Sequence, residues 1–429
     1  MTSPKKLSLL SAIFINLNVM IGAGLFINTY DLSIKAGAAG FLLYPLIGLS
    51  MLPLIAVLGK LVGLFPTGGF YAFGKSYSPF LGFLSCWSYF FAKLASASVM
   101  VYVGANMLQK IIPRAESTNI MSICLMILAT YTFLNLQNMK TGILVQSFFL
   151  TSKAIPIIFV IIAGILLFDT SHISPDLFLW SGMGSCVPLI IFSFCGFETA
   201  FALGRNIENP TVNGPKAVYY SFGMIIVLYS IFQAFIYMNS YQALTTLTSY
   251  QGVFSTFINA LFNSPTIANK LSILLNVTIG SSALGGAYSV LFSNPWNLYT
   301  LAEHHHLLGS KTITLLNKHH TPWVAILIES LVCSIFLLCN QQCLLSLRST
   351  TAFGIIISYS ISAWAYYQLI RKNNGTTQER IISIAACILC MFFIINCIMT
   401  INPSSLLLFI TILSAGSIMF IYTSRKKQA

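Results

Sequence analysis

The sequence predicts an all-α membrane protein of about twelve transmembrane helices. Three observations carry that prediction. Hydrophobic residues make up 56% of the 429 and charged residues 7%, against about a quarter charged in an ordinary soluble domain; the mean hydropathy is +0.82. The apolar residues gather in runs of the roughly 20 residues that a helix needs to cross a bilayer, not in the alternating segments of about ten that mark barrel strands. The basic residues fall between those runs, mostly on alternate sides.

The runs lie near 7-29, 39-61, 81-108, 120-136, 144-168, 184-203, 217-239, 270-300, 323-339, 350-370, 381-400 and 404-422. The first follows only six residues and has no small-residue cleavage site before the next charge, so it is expected to be a retained helix and not a signal peptide. With the amino terminus inside, fifteen of the 22 basic residues face the cytoplasm, from Lys5 and Lys6 through Lys60, Lys75 and Lys140 to Arg425, Lys426 and Lys427. Five, Lys35, Lys110, Arg114, Lys270 and Arg348, face outward. This bias puts both termini in the cytoplasm, and the expected location is the inner (plasma) membrane of a bacterium. The net charge of +13 then follows from topology and calls for no nucleic acid. Its lysines are dispersed over loops that lipid head groups reach.

Nine of the ten cysteines fall in or beside apolar runs, with Cys343 in an outer loop, and none has zinc-type spacing with paired histidines. Cys387 and Cys390 form a CxxC, but on one face of a membrane helix they read as small packing residues. No metal and no cofactor are expected. Five of the six histidines, His304, His305, His306, His319 and His320, share one predicted cytoplasmic loop. A pH sensor and an ordinary aqueous loop both fit them.

Within the first run stands "VMIGAGLF", residues 19 to 26. Glycine in a membrane helix lets a neighbour approach closely or lets the helix unwind around a ligand. Gly22, Ala23 and Gly24 lack the GxxxG spacing of a packing motif and give consecutive backbone that leaves the helical region cheaply, yet both readings stand. The sixth run, "PLIIFSFCGFETAFALGRNIENP", carries Gly196 and the ionisable Glu198 in its middle. An acid at that depth costs several kcal/mol without partners, and freed backbone N–H groups would supply them. Interruptions five helices apart, at corresponding positions of two halves, point to an inverted repeat with a midplane binding site between the broken helices.

These strings resemble the amino acid-polyamine-organocation transporters over nearly the whole chain. "IGAGLF" is similar to that family's first-helix signature. "FPTGGFYAFGKSYSPFLGFLSCW" is similar to its helix 2-3 connection, and "FSFCGFETAFALGRNIENPTVNGPKAV" to its helix 6 and following loop. "NPWNLYTLAEHHHLLG" resembles the helix 8-9 connection less closely, since the family usually continues with an arginine there. The resemblance implies the leucine-transporter type of fold: a five-helix repeat over 7-168, an inverted repeat over 184-370, and peripheral helices 11 and 12 over 381-422. It also implies alternating access around a central site. There the amino end of the second half of helix 1, at Ala23 and Gly24, would receive a substrate carboxylate. Carbonyls at Met20, Phe192 and Cys195 would face the substrate ammonium, beside Gly22 and Gly196, with Phe192 as an aromatic lid.

Two lysines lie inside runs. Lys153 interrupts "FFLTSKAIPIIFV", where burial penalises the charged form. Some proton-coupled family members are similar in carrying a lysine here, and the resemblance implies as neighbours carbonyls near Gly22 and the hydroxyls of Ser281 and Ser282. Lys153 is therefore expected to carry the coupling proton or to replace a sodium ion as a fixed charge; snorkelling to the cytoplasmic surface is the plainer alternative. Lys93 is expected to line the substrate path, to pair with Glu198, or to snorkel. Glu198 reads as a cap on the broken segment ahead of a proton carrier, and Glu329 as interfacial. Arg205, Glu208 and Asn209 are expected to shape the cytoplasmic turn after helix 6.

The function expected is secondary amino acid transport, by proton coupling or by exchange for a second amino acid. The chain shows no ATP-binding loop, haem motif or catalytic triad, and its short connections leave no room for a soluble enzymatic domain. Polyamine or metabolite antiport and a non-transporting amino acid receptor remain the alternatives; the two buried lysines weigh against the first and the short tails against the second.

Overall fold

The computed structural model describes residues 6–111, 118–167, 177–202, 204, 207–244, 247, 252–262, 264–339 and 347–428. Arg114, Arg205 and Cys343 lie outside them, as does the side chain of Ala23. The described residues are nearly all helical. Among the described residues seven helices are long and apolar enough to cross a membrane, and two bent pairs, with bends of 44° and 46°, raise that to nine. The remaining three predicted runs are present as shorter apolar helices.

The first run forms α1 (Leu9–Met20) and α2 (Ala23–Ala36), and the second forms α3 (Gly40–Ser50) and α4 (Leu52–Leu64). The short α5 (Gly69–Lys75) leads into α6 (Pro79–Ile111), followed by α7 (Ile120–Asn135) and α8 (Met139–Leu166). The sixth run forms α9 (Met183–Phe194) and a single turn, α10 (Thr199–Ala202). Next come α11 (Pro210–Leu244), α12 (Val253–Leu261), α13 (Pro265–Ser293), α14 (Pro295–Glu303) and α15 (Ser310–Ile313). The chain ends with α16 (Trp323–Cys339), α17 (Leu347–Lys372), α18 (Thr377–Thr400) and α19 (Pro403–Gln428).

The helices differ in how much of them the protein covers. The most apolar stretch of α6 is 78% buried, that of α19 only 17%. α6 packs against α5, α7, α13, α16 and α17 and forms the spine of the bundle. α1, α13 and α8 pack on one another. A lipid-exposed helix needs no polar partner on its surface, because its backbone is bonded internally. The exposed Met399, Leu407 and Ile418 fit that setting.

Two sequence expectations change here. Glu329, expected at the periphery, is 1% exposed, because α16 lays one face on α6, α7 and α14; it is packed inside the bundle and not on its surface. The histidine stretch is also partly packed. His306 is buried, takes part in a 2.8 Å hydrogen bond with the Tyr71 hydroxyl, and sits beside His304, whose ring stacks on Tyr71 at 4.3 Å.

The corner between α5 and α6 depends on two glycines. A Cβ at Gly74 would lie 2.6 Å from the Leu81 carbonyl oxygen, and one at Gly82 would lie 2.6 Å from that of Tyr71. Backbone cannot yield as a side chain can. Gly82→Ala is therefore expected to cost about 1–3 kcal/mol, read as a lowered melting temperature in detergent. Gly223→Ala, where an added Cβ meets nothing within 4 Å, serves as the unaffected control.

Candidate functional site

The first span stops being a helix at Met20 and resumes at Ala23. Ile21 (φ −76°, ψ 63°) and Gly22 (φ −102°, ψ −146°) leave the helical region. The cap position of α2 is Gly22, which has no side chain to satisfy the helix's first N–H groups. The sixth span breaks at the same level. α9 ends at Phe194, Cys195 is extended, and Gly196 takes φ +142°, which a side chain would strain.

The two breaks touch. A Cβ at Gly196 would lie 2.8 Å from the Met20 nitrogen, and one at Gly24 would lie 3.2 Å from Ser193 Cα. On the remaining side Gly22 faces Met100 of α6 and Gly286 of α13. Phe192 is buried, with its ring beside Gly24. Thus Met20, Gly22, Gly24, Phe192, Cys195 and Gly196 form one cluster of main chain and apolar side chains. The Met20 carbonyl accepts bonds from the Tyr229 hydroxyl and from the Gly22 N–H, so in this conformation it is engaged by the protein itself.

Glu198 holds the second break in shape. Its Oε2 accepts the Gly196 N–H at 2.9 Å, while Oε1 accepts the Tyr89 hydroxyl at 3.0 Å and pairs with Lys93 Nζ at 2.8 Å. The side chains of Lys93 and Glu198 are 3% and 0% exposed. Phe70 covers Tyr89 at 4.5 Å between ring centres, and Tyr359 lies against Phe70 and Phe197. The lysine charge is thereby spent on a carboxylate inside an aromatic shell.

Lys153 is 0% exposed on α8 and donates to the main-chain carbonyl of Asn18, one turn before Gly22. The two serines expected beside it are placed differently. Ser282 donates to the Ile21 carbonyl at 3.1 Å, next to the break, while buried Ser281 Oγ has no hydrogen-bond partner among the described residues.

Sequence reasoning missed the ties that close the cluster at both ends. On the side opposite the amino terminus, Arg348 Nη1 lies 2.7 Å from Asp31 Oδ2 and donates to Asn28 Oδ1 at 2.6 Å. Asn28 in turn donates to the Leu189 carbonyl at 2.6 Å, so α17, α2 and α9 are clasped together. On the other side Asn16 Oδ1 accepts the Ala200 N–H at 3.0 Å, and Asn16 Nδ2 donates to Ser221 at 3.2 Å. Asparagines inside an apolar run were the available signal for Asn16 and Asn28. Among the described residues no group of three or more His, Cys, Asp or Glu side chains could hold a metal.

A family model described as amino acid permease matches residues 7–423. The aromatic amino acid transport protein AroP of Escherichia coli O6:H1 is 24% identical over 380 residues, covering 84% of this chain and 80% of that protein. AroP of Salmonella typhi is 24% identical over 370 residues, covering 81% and 77%. An uncharacterized transporter of Mycobacterium bovis is 25% identical over 243 residues, covering 53% and 51%.

Removing one member of a buried ion pair strands the other, at a cost of about 3–5 kcal/mol. Lys93→Met alone is thus expected to lower thermal stability sharply, and Lys93→Met with Glu198→Gln to restore most of it. Melting of the purified variants in detergent checks both.

Proposed function

The chain belongs to the amino acid permease family, and on that premise we propose that it moves an amino acid across the membrane by alternating access, driven by a proton or by exchange for a second amino acid. It is an integral, multi-pass transporter and not an enzyme. In the proposed architecture the bent pairs and the shorter apolar helices complete twelve spans. Residues 7-168 and 184-370 form inverted five-helix repeats, 381-422 are peripheral, and both termini are cytoplasmic. The slight coverage of α19 supports its place at the edge.

The observation that carries the reading is the contact between two interrupted helices at Gly196 and Met20. A zwitterion presents opposite charges close together, and this junction offers opposite main-chain poles close together. The amino end of α2 at Ala23 and Gly24 would take the carboxylate, through open N–H groups and the positive end of the helix dipole. The carbonyls of Met20, Phe192 and Cys195 would take the ammonium, with the Tyr229 hydroxyl giving way at Met20. Main-chain recognition leaves the side chain to be read by Phe192, Cys195 and Met100, which are buried and apolar. Because Lys93 is already paired with Glu198, the pocket favours an uncharged side chain over a polyamine or arginine.

Lys153 supplies the coupling charge in this reading. Bound to the carbonyl of Asn18 on α1, it ties α8 to the first break through a charge-assisted bond while it is an ammonium and holds it more weakly as an amine. A proton and a helix movement are thereby linked.

Uptake into proteoliposomes with a panel of labelled amino acids is the test. Uptake of amino acids with uncharged side chains is expected, accelerated by an imposed proton gradient. Lys153→Ala is expected to lose the acceleration. A variant that keeps it removes the lysine from coupling; uptake that needs only internal substrate identifies exchange; binding without flux identifies a receptor.

A further inference from the structure

Lys153 is completely buried, so a proton exchanged there needs a route to water. The same Asn18 whose carbonyl accepts its ammonium donates through Nδ2 to Ser289 Oγ of α13 at 2.5 Å. Ser289 Oγ has one hydrogen to share between two acceptors, Gln146 Oε1 at 3.2 Å and the Gly285 carbonyl at 3.0 Å. Gln146 lies on α8 seven residues before Lys153, about two helical turns nearer the side of the amino terminus.

Two amide atoms of this series are left over. Asn18 Oδ1 and Gln146 Nε2 have no hydrogen-bond partner among the described residues, although Asn18 is 0% and Gln146 4% exposed. One is an acceptor and the other a donor, and both amides bond the same serine hydroxyl. Buried polar atoms of that kind are normally satisfied by ordered water. Room exists on the Gln146 side: Gln146 walls a crevice of about 30 Å3 between α1 and α8, with Ser11, Phe14 and Ser147, while Asn18 and Ser289 lie behind it. A single water needs roughly 10–15 Å3 of such space.

We propose that Asn18, Ser289 and Gln146 bind a relay water that carries the proton between Lys153 and this crevice. The proposal rests on the coupling role given to Lys153 above. In the step itself the ammonium becomes an amine by passing one proton to the bound water, which passes one on to water in the crevice; no other group changes charge. The surroundings suit such an exchange. α1 presents Asn18 to Lys153, and α13 presents Gly285, whose added Cβ would lie 3.1 Å from the lysine Cε. Among the described residues no carboxylate forms an ion pair with Lys153.

The full chain, reconstituted with a pH-sensitive dye inside the vesicles, reads substrate-driven proton flux; exchange of labelled for unlabelled substrate is read in the same vesicles. In Gln146→Leu and Ser289→Ala the ratio of proton flux to exchange is expected to fall about tenfold, the rate equivalent of one lost hydrogen bond, and Ser289→Thr is expected to restore it. A ratio equal to wild type in both variants overturns the relay. Wild-type vesicles that move no protons with substrate overturn the coupling role of Lys153, and the water site is then decided on its own. An experimental map fine enough to show ordered water either has density joining Asn18 Oδ1 to Gln146 Nε2, as expected, or lacks it, which overturns the site.

Discussion

A peptide group in hydrocarbon must find a hydrogen bond, and water is not there to offer one. An interrupted helix in the middle of a membrane protein is therefore costly unless the loose ends meet something. Here the two interruptions meet each other, and the protein supplies partners for part of what they expose. Tyr229 serves the Met20 carbonyl, Ser282 the Ile21 carbonyl, and Glu198 the Gly196 N–H. Each of these bonds comes from another span or from the far lip of the break, so the cluster keeps its shape only while the helices around it stay together. The start of α2 differs, since its cap position is Gly22, which has no side chain to offer.

The pair formed by Lys93 and Glu198 has a double part in this scheme. It fixes the carboxylate that holds the second break, and it neutralises a full positive charge beside the two interruptions. A buried pair of this kind is seldom a net source of stability, since both ions gave up their water. Its worth lies in position: the carboxylate is held where a main-chain donor needs it.

The outline of the molecule was legible in the sequence because the hydrophobic runs are long and the charges few. The interruptions were legible too, since Gly22 and Gly196 stand where an apolar helix would gain from larger residues, and an acid two positions after Gly196 marks the need for a cap. Side-chain facing was not. Lys93 had three readings because a period of 3.6 residues gives no absolute rotation in a chain that is apolar on every side. The clasp of Arg348 with Asp31 and Asn28 was invisible for another reason: it joins positions up to 320 residues apart, and no local pattern reports such a meeting. Glu329 and His306 were misjudged alike. Their neighbours in sequence look like boundary and loop, whereas burial is decided by which helices pack over them.

The clasp and the tie at the other end are built from different materials. Arg348 and Asp31 keep 11% and 22% of their side chains in contact with solvent, whereas Asn16, 0% exposed, holds its end with neutral hydrogen bonds. Mobile ions weaken a wetted charge pair and leave a dry amide contact almost untouched. The ionic strength of the medium thus bears more on the joint of α17, α2 and α9 than on the joint that Asn16 makes with Ala200 and Ser221.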